Sequence, residues 1–270
     1  MMFAFAYRMI RDKYKLFIIY SVAAIGFLEM YIAMFPTISK QSGQLDQLLK
    51  TLPQEMFKAM NIDVASLSFG KLEAFLSTEY LSFLWPILGI IFVISLANYI
   101  LVNEVEKGTI ETLASLPATR NKVFIERYLA GLILLVGFVI ISIFAAIPLA
   151  AISNISFSAE NYLTTAVGGF LFLWAIYSIA TLSSAVFSEK GKATMATGGI
   201  LILMYVLNIL AALSDKLVNV KYASFFYYFN GSDLMAKNIF SMNSVLVLGG
   251  VAIVASLCAL YWIQKRDLSV

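Results

Sequence analysis

The 270-residue chain is 61% hydrophobic and 13% charged, against about 25% charged in soluble domains, and its mean hydropathy is +0.86, which excludes an ordinary soluble domain. A formal charge of +3, with basic residues spread along the edges of apolar runs, leaves no tract that would call for a nucleic acid. The absence of histidine removes histidine-based zinc sites and Ser-His-Asp or Cys-His catalysis.

Apolar runs of about 20 residues, the length a helix needs to cross a bilayer core, fill most of the chain. A membrane barrel would instead show segments of about ten residues with alternating polarity. The segment 132–152 is clearly interrupted only by Ser142 and Pro148. The expected fold is all-α, a single polytopic domain over residues 1–270.

In chain order, Phe3, Phe5, Met9 and Ile10 lie among Arg8, Arg11 and Lys13, a pattern suited to a short elbow helix in the headgroup layer, followed by an uncleaved first span. Spans are expected at about 16–35, 81–102, 124–152, 162–187, 193–213 and 244–263. The first outer segment holds LPQEMFKAM, a short helix with Leu52 and Met56 on one face behind Pro53. The second, KYASFFYYFNGSDLMAKNIF, is dense in aromatics, as expected of residues resting at a membrane interface. Gly168, Gly169, Gly198 and Gly199 permit close helix approach, and Cys258 in the last run reads as a small buried packing residue. Six spans put both termini on one side. That side carries twelve of the 19 Lys and Arg residues and the other seven, so the termini are expected to be cytoplasmic in a multi-pass protein of the cell membrane.

Polar groups inside the spans are few. Glu29 lies about 20 Å along the helix beyond Leu16, where it is protonated, reaches outward, finds a partner or lines a substrate path. Asn98 and Asn208 suit hydrogen bonds between helices and are the other candidates for a substrate path. GKAT at Gly191 lacks the upstream glycine of a phosphate-binding loop and follows a span instead of a strand. No catalytic residue, metal site or bound cofactor is therefore expected in this chain.

The loop between spans two and three, VNEVEKGTIETLASLPATRNK, has its own helical punctuation. Thr109 caps a short helix, Glu111 suits the positive end of its dipole, and Pro117 makes Leu116 a stop. Ile110, Leu113 and Leu116 share one face, giving an amphipathic peg of roughly two turns. Thr119 then caps span three, where Lys122 and Glu126 stand as an i, i+4 pair.

The segment NEVEKGTIETLASLPATRNKVFIERYLAG resembles the corresponding loop of ABC exporter permeases of the type-2 class, in which an acidic residue, a glycine and Thr-(Ile/Leu)-Glu precede a Leu-Pro-x-x-Arg turn. The terminal YWIQKRDLSV is similar to the Arg-Asp-Leu ending common in these permeases. The resemblance implies a six-helix half-transporter that pairs with a second permease copy or a homologous permease. It also implies two separate ABC ATP-binding subunits, with ATP and Mg held on those partners, recruited through a cytoplasmic coupling helix. By the same resemblance, Glu104, Glu106, Gly108, Thr109, Glu111, Leu113, Leu116, Pro117 and Arg120 form the docking element.

The leading reading is thus the permease of an ATP-driven exporter working by alternating access, with ATP hydrolysed by a partner and membrane lipid around it. An ion-coupled secondary transporter would call for midplane acidic residues or broken helices in paired positions. A non-transporting scaffold or sensor subunit is the remaining alternative.

Overall fold

The computed structural model of the protein describes residues 3–43, 70–106, 108 and 119–265. Among these, six helices are long and apolar enough to cross a bilayer: Ala4–Lys40, Leu72–Ile100, Arg120–Ile152, Ala159–Val186, Lys190–Leu213 and Met242–Lys265. They are spans one to six, and each apolar run in the sequence has become one of them. LPQEMFKAM lies outside the described residues.

Span four is the hub, packed against spans two, three, five and six. Of its most apolar window 67% is buried, against 22% for spans one and five. Its apolar residues lie all round the helix, the pattern of a helix enclosed by others. Spans one and five turn side chains such as Ile19, Val22, Ile202 and Leu203 outward, which hydrocarbon or a neighbouring membrane chain covers.

Small residues let the helices approach the hub. A Cβ on Gly168 would stand 2.7 Å from Leu234, and one on Gly169 would stand 2.6 Å from Trp85, so both glycines serve packing within the chain. Gly198 and Gly199 meet nothing within 4 Å and leave a shallow strip open on span five. The tightest approach is at Gly131 of span three, where a Cβ would fall 2.0 Å from the Tyr177 hydroxyl. That hydroxyl is buried in span four and donates to the Tyr128 carbonyl at 3.2 Å. Gly131→Ala is therefore expected to lower stability by about 3 kcal/mol, the upper end for overpacking. In detergent its thermal midpoint should fall, and Tyr177→Phe, which removes the nearest atom, should restore part of the loss. Full stability of the single variant would contradict this packing.

Four sequence expectations change. First, no separate elbow forms: residues 4–40 are one 37-residue helix. No glycine or proline interrupts residues 4–35 except Gly26, and the exposed first turn is held from across the fold. Glu126 Oε2 accepts the Phe5 amide at 2.9 Å and the Ala6 amide at 3.4 Å, two of the donors a helix start leaves unpaired, while Lys122 lies 3.9 Å from its other oxygen.

Second, span two starts at Leu72, nine residues before the expected 81. Its polar opening satisfies itself. Ser77 Oγ donates to the Ala74 carbonyl and Ser82 Oγ to the Ser77 carbonyl, within a wider π-helical stretch, Ser77–Leu84. Glu73 Oε1 accepts the Ser158 amide at 2.5 Å, at the entry to span four.

Third, Cys258 is exposed. Leu248, Ala252, Ala255, Ala259 and Ile263 form the inward stripe of span six, and Cys258 falls off it, on a face that lipid can cover without protein burial.

Fourth, the aromatic outer segment divides between interior and surface. Phe225 and Phe229 are buried. Phe229 stacks on Phe172 at 4.7 Å and on Trp85 at 5.4 Å, whereas Tyr222 stays exposed.

Spans one, two and three are stitched at mid-depth. The Tyr80 hydroxyl lies 3.2 Å from the Ala24 carbonyl and 3.1 Å from that of Ser142, and Trp85 Nε1 donates to Ser142 Oγ at 2.8 Å. In span three the regular helix pauses at Ala145, because Pro148 has no N–H for the Phe144 carbonyl four residues back.

Candidate coupling site

Span two ends at Ile100, where Leu101 takes φ −141° and ψ −53° and the chain restarts as a single turn, Val102–Glu106. A break of this kind leaves the last helical carbonyls without amide partners. Arg127 of span three supplies them. Its Nη1 donates to the Ile100 carbonyl at 2.8 Å and to that of Tyr99 at 3.3 Å, and its Nη2 donates to Glu104 Oε1 at 3.0 Å. The side chain is 1% exposed, and its guanidinium lies 5.3 Å from the Tyr99 ring centroid. A buried charge is tolerated only when paired and hydrogen-bonded, and the guanidinium fork suits two carbonyls and a carboxylate at once.

The turn is fastened at two more points. The Val102 amide donates to Ser184 Oγ of span four at 3.2 Å, and Glu106 Oε2 accepts the Lys190 amide at the start of span five at 3.3 Å. Gly108 follows with φ +66° and donates its amide to the Val105 carbonyl. This is the left-handed glycine that commonly closes a helical turn, a conformation a side chain would strain. On the far side of the loop, Thr119 Oγ1 accepts the Lys122 amide at 3.4 Å, the cap expected from the sequence, and Arg120 opens span three on the surface. Span one joins through Tyr99, whose hydroxyl donates to Asp12 Oδ2 at 2.5 Å.

Of the docking residues named from the sequence, Glu104, Glu106, Gly108 and Arg120 therefore sit at the two roots of the loop. Thr109, Glu111, Leu113, Leu116 and Pro117, with the expected coupling helix, lie outside the described residues. Arg127, at the foot of span three, is not among the residues named from the sequence. Its signal was an arginine eight residues into a membrane helix, a position that demands a partner.

The substrate-path candidates are scattered. Asn98 Nδ2 donates to Thr194 Oγ1 at 2.9 Å, a span two to span five bond. Asn208 is buried beside a cavity of about 20 Å³ shared with Ser82, Tyr205 and Phe229. Glu29 is exposed on the outer face of span one and lines neither cavity. Between spans two and five runs an apolar groove of about 470 Å³, bordered by Phe83, Ile87, Ile91, Ile202 and Tyr205.

A family model described as ABC-2 family transporter protein matches residues 6–268. The chain belongs to this family. It is thus a multi-pass ABC-2 membrane protein, the permease subunit of an ABC transporter, and membership in a permease family implies an ABC ATP-binding partner. No curated protein and no solved structure matches the chain. For an ABC-2 permease, the roots just described lie where the loop from span two to span three leaves the bundle, tied to every span from one to five.

Proposed function

We propose that this permease is the membrane half of an ATP-driven exporter, with its termini and the 103–122 loop in the cytoplasm. A separate ATP-binding subunit docks on the loop, and two permease copies with two ATP-binding subunits complete the transporter. ATP and Mg bind on the partner, and this chain carries no hydrolytic site. The observation that carries the reading is the set of ties from the short turn 102–106 to spans three, four and five. A partner that displaces the loop moves three helices together instead of bending a connector. Differential contact with the two nucleotide states of the partner then biases inward-open against outward-open arrangements of the pair.

The apolar faces of spans one and five, with the open Gly198–Gly199 strip, suit the second permease copy. The apolar groove between spans two and five suits a hydrophobic or amphipathic cargo. Glu29 makes no hydrogen bond or ion pair among the described residues, so an ion-coupled mechanism gains no support from it.

The test is purification of the tagged permease from its own host in nanodiscs, followed by ATP hydrolysis and by crosslinking from a cysteine at position 113 in a Cys258→Ser background. The expected result is an associated ATPase that crosslinks from position 113 and not from a control cysteine at position 221. A transport-competent preparation without an ATPase would overturn the reading.

A further inference from the structure

On the side of the bundle away from the termini, the outer segment 222–241 and the start of span six enclose a cavity of about 410 Å³, the size of small-molecule sites. Three phenol rings border it, those of Tyr222, Tyr227 and Tyr228, with Asn230, Asp233 and an apolar side that includes Leu246. The rings stand edge to face, Tyr222 to Tyr227 at 5.3 Å and Tyr227 to Tyr228 at 5.2 Å, so neighbouring π-faces point in different directions. Among the described residues, Asp233 is the only charged one in the lining. Lys237 holds its Oδ1 at 3.1 Å, while the carboxylate stays partly accessible. Asn230 spends its side-chain oxygen on the Ser232 and Asp233 amides, which fixes the turn carrying that carboxylate. Leu246 is 66% exposed on a membrane-spanning helix, so the cavity opens where its wall meets hydrocarbon.

We propose that this cavity binds an alkylammonium group attached to an apolar chain, either the headgroup of an ammonium lipid or a free cationic amphiphile. Ring faces and a carboxylate attract an organic cation, and the apolar wall accommodates the tail. The rings already show this preference: Lys221 Nζ lies 4.9 Å from the Tyr227 centroid and 5.2 Å from that of Tyr222. Lys221 is not part of the lining, but its charge stands on the same rings, so it opposes a cationic ligand and would favour an anionic one. The site lies apart from the coupling loop and does not depend on the transport reading.

The test is calorimetric titration of the full chain in nanodiscs with decyltrimethylammonium, with decyl maltoside and decyl sulfate as neutral and anionic counterparts. Unspecific partition into lipid is common to all variants and cancels between them. In phosphatidylglycerol discs, Asp233→Asn is expected to weaken the saturable ammonium binding about tenfold, the effect of losing one partly screened charge, and Lys221→Met is expected to strengthen it. These opposite signs do not arise from general misfolding. Discs containing phosphatidylcholine separate the sources: weaker apparent binding there assigns the site to a lipid headgroup, and unchanged binding assigns it to free amphiphiles. Either result supports an ammonium site. Equal binding by wild type and both variants, or saturable binding of the maltoside or sulfate as tight as that of the ammonium, would overturn it.

Discussion

Arg127→Leu is expected to leave the permease inserted in the membrane but to uncouple it from its ATPase. The change removes a guanidinium that serves the carbonyls of Tyr99 and Ile100 and the carboxylate of Glu104. The carboxylate is only 13% exposed, so it loses its guanidinium partner where little water can replace it. Breaking a buried pair from one side costs about 3–5 kcal/mol, enough for a clear fall in the thermal midpoint. Because the same guanidinium holds the end of span two to the turn 102–106, the loop also loses its register. Removing both charges, with Arg127→Met and Glu104→Met together, is expected to recover the ion-pair share of the loss, since an apolar pair of similar volume often replaces a buried ion pair without loss, but not the share due to the Tyr99 and Ile100 carbonyls. It should not recover ATPase stimulation. Normal stimulation in the double variant would show that the pair serves the fold alone.

Leu113→Asp is the second large effect expected. Leu113 belongs to the apolar face that Ile110, Leu113 and Leu116 form by sequence spacing. In an interface, a few apolar anchors carry most of the energy and rim charges carry little. A carboxylate at the centre of that face is expected to lower recovery of the ATP-binding subunit at least tenfold, equivalent to about 1.4 kcal/mol. Glu111→Ala, a change at a charge, is expected to cost only a small fraction of that. Permease yield in the membrane should match the parent for both, because neither position lies in a span. Parental recovery and transport in Leu113→Asp would make the loop a plain connector.

The six spans were legible because hydrocarbon imposes a simple requirement, about 20 apolar residues in a row. That requirement says little about polar helix ends, and there the sequence misled. Glu73, Ser77 and Thr78 look like loop, yet Ser77 and Thr78 both return their side-chain hydrogen bonds to the Ala74 carbonyl of their own helix, and Glu73 serves the entry to span four. Cys258 misled for a related reason, since an apolar run in a bilayer does not tell a face turned to protein from a face turned to lipid. Of the loop's expected punctuation, the Thr119 cap is present, and the rest lies outside the described residues. Its anchors were not readable, because Glu104 with Arg127 and Glu106 with Lys190 are set by which helices become neighbours. The aromatic outer segment shows the same limit: composition placed it near the interface, but the packing of Phe229 on Phe172 and Trp85 needed the bundle.

The capping of span one by Glu126 also bears on the order in which the protein is made. The Phe5 amide and the carboxylate it meets are 121 residues apart, so the first helix reaches the bilayer long before its cap exists. At about 5–20 residues per second, the ribosome needs roughly 6–24 s to produce the missing partner. During that interval the opening turn must take its hydrogen bonds from water or lipid headgroups, which keeps that end of the helix at the membrane surface. The arrival of span three exchanges those bonds for protein ones, and span one gains a fixed end only when its neighbour is in place.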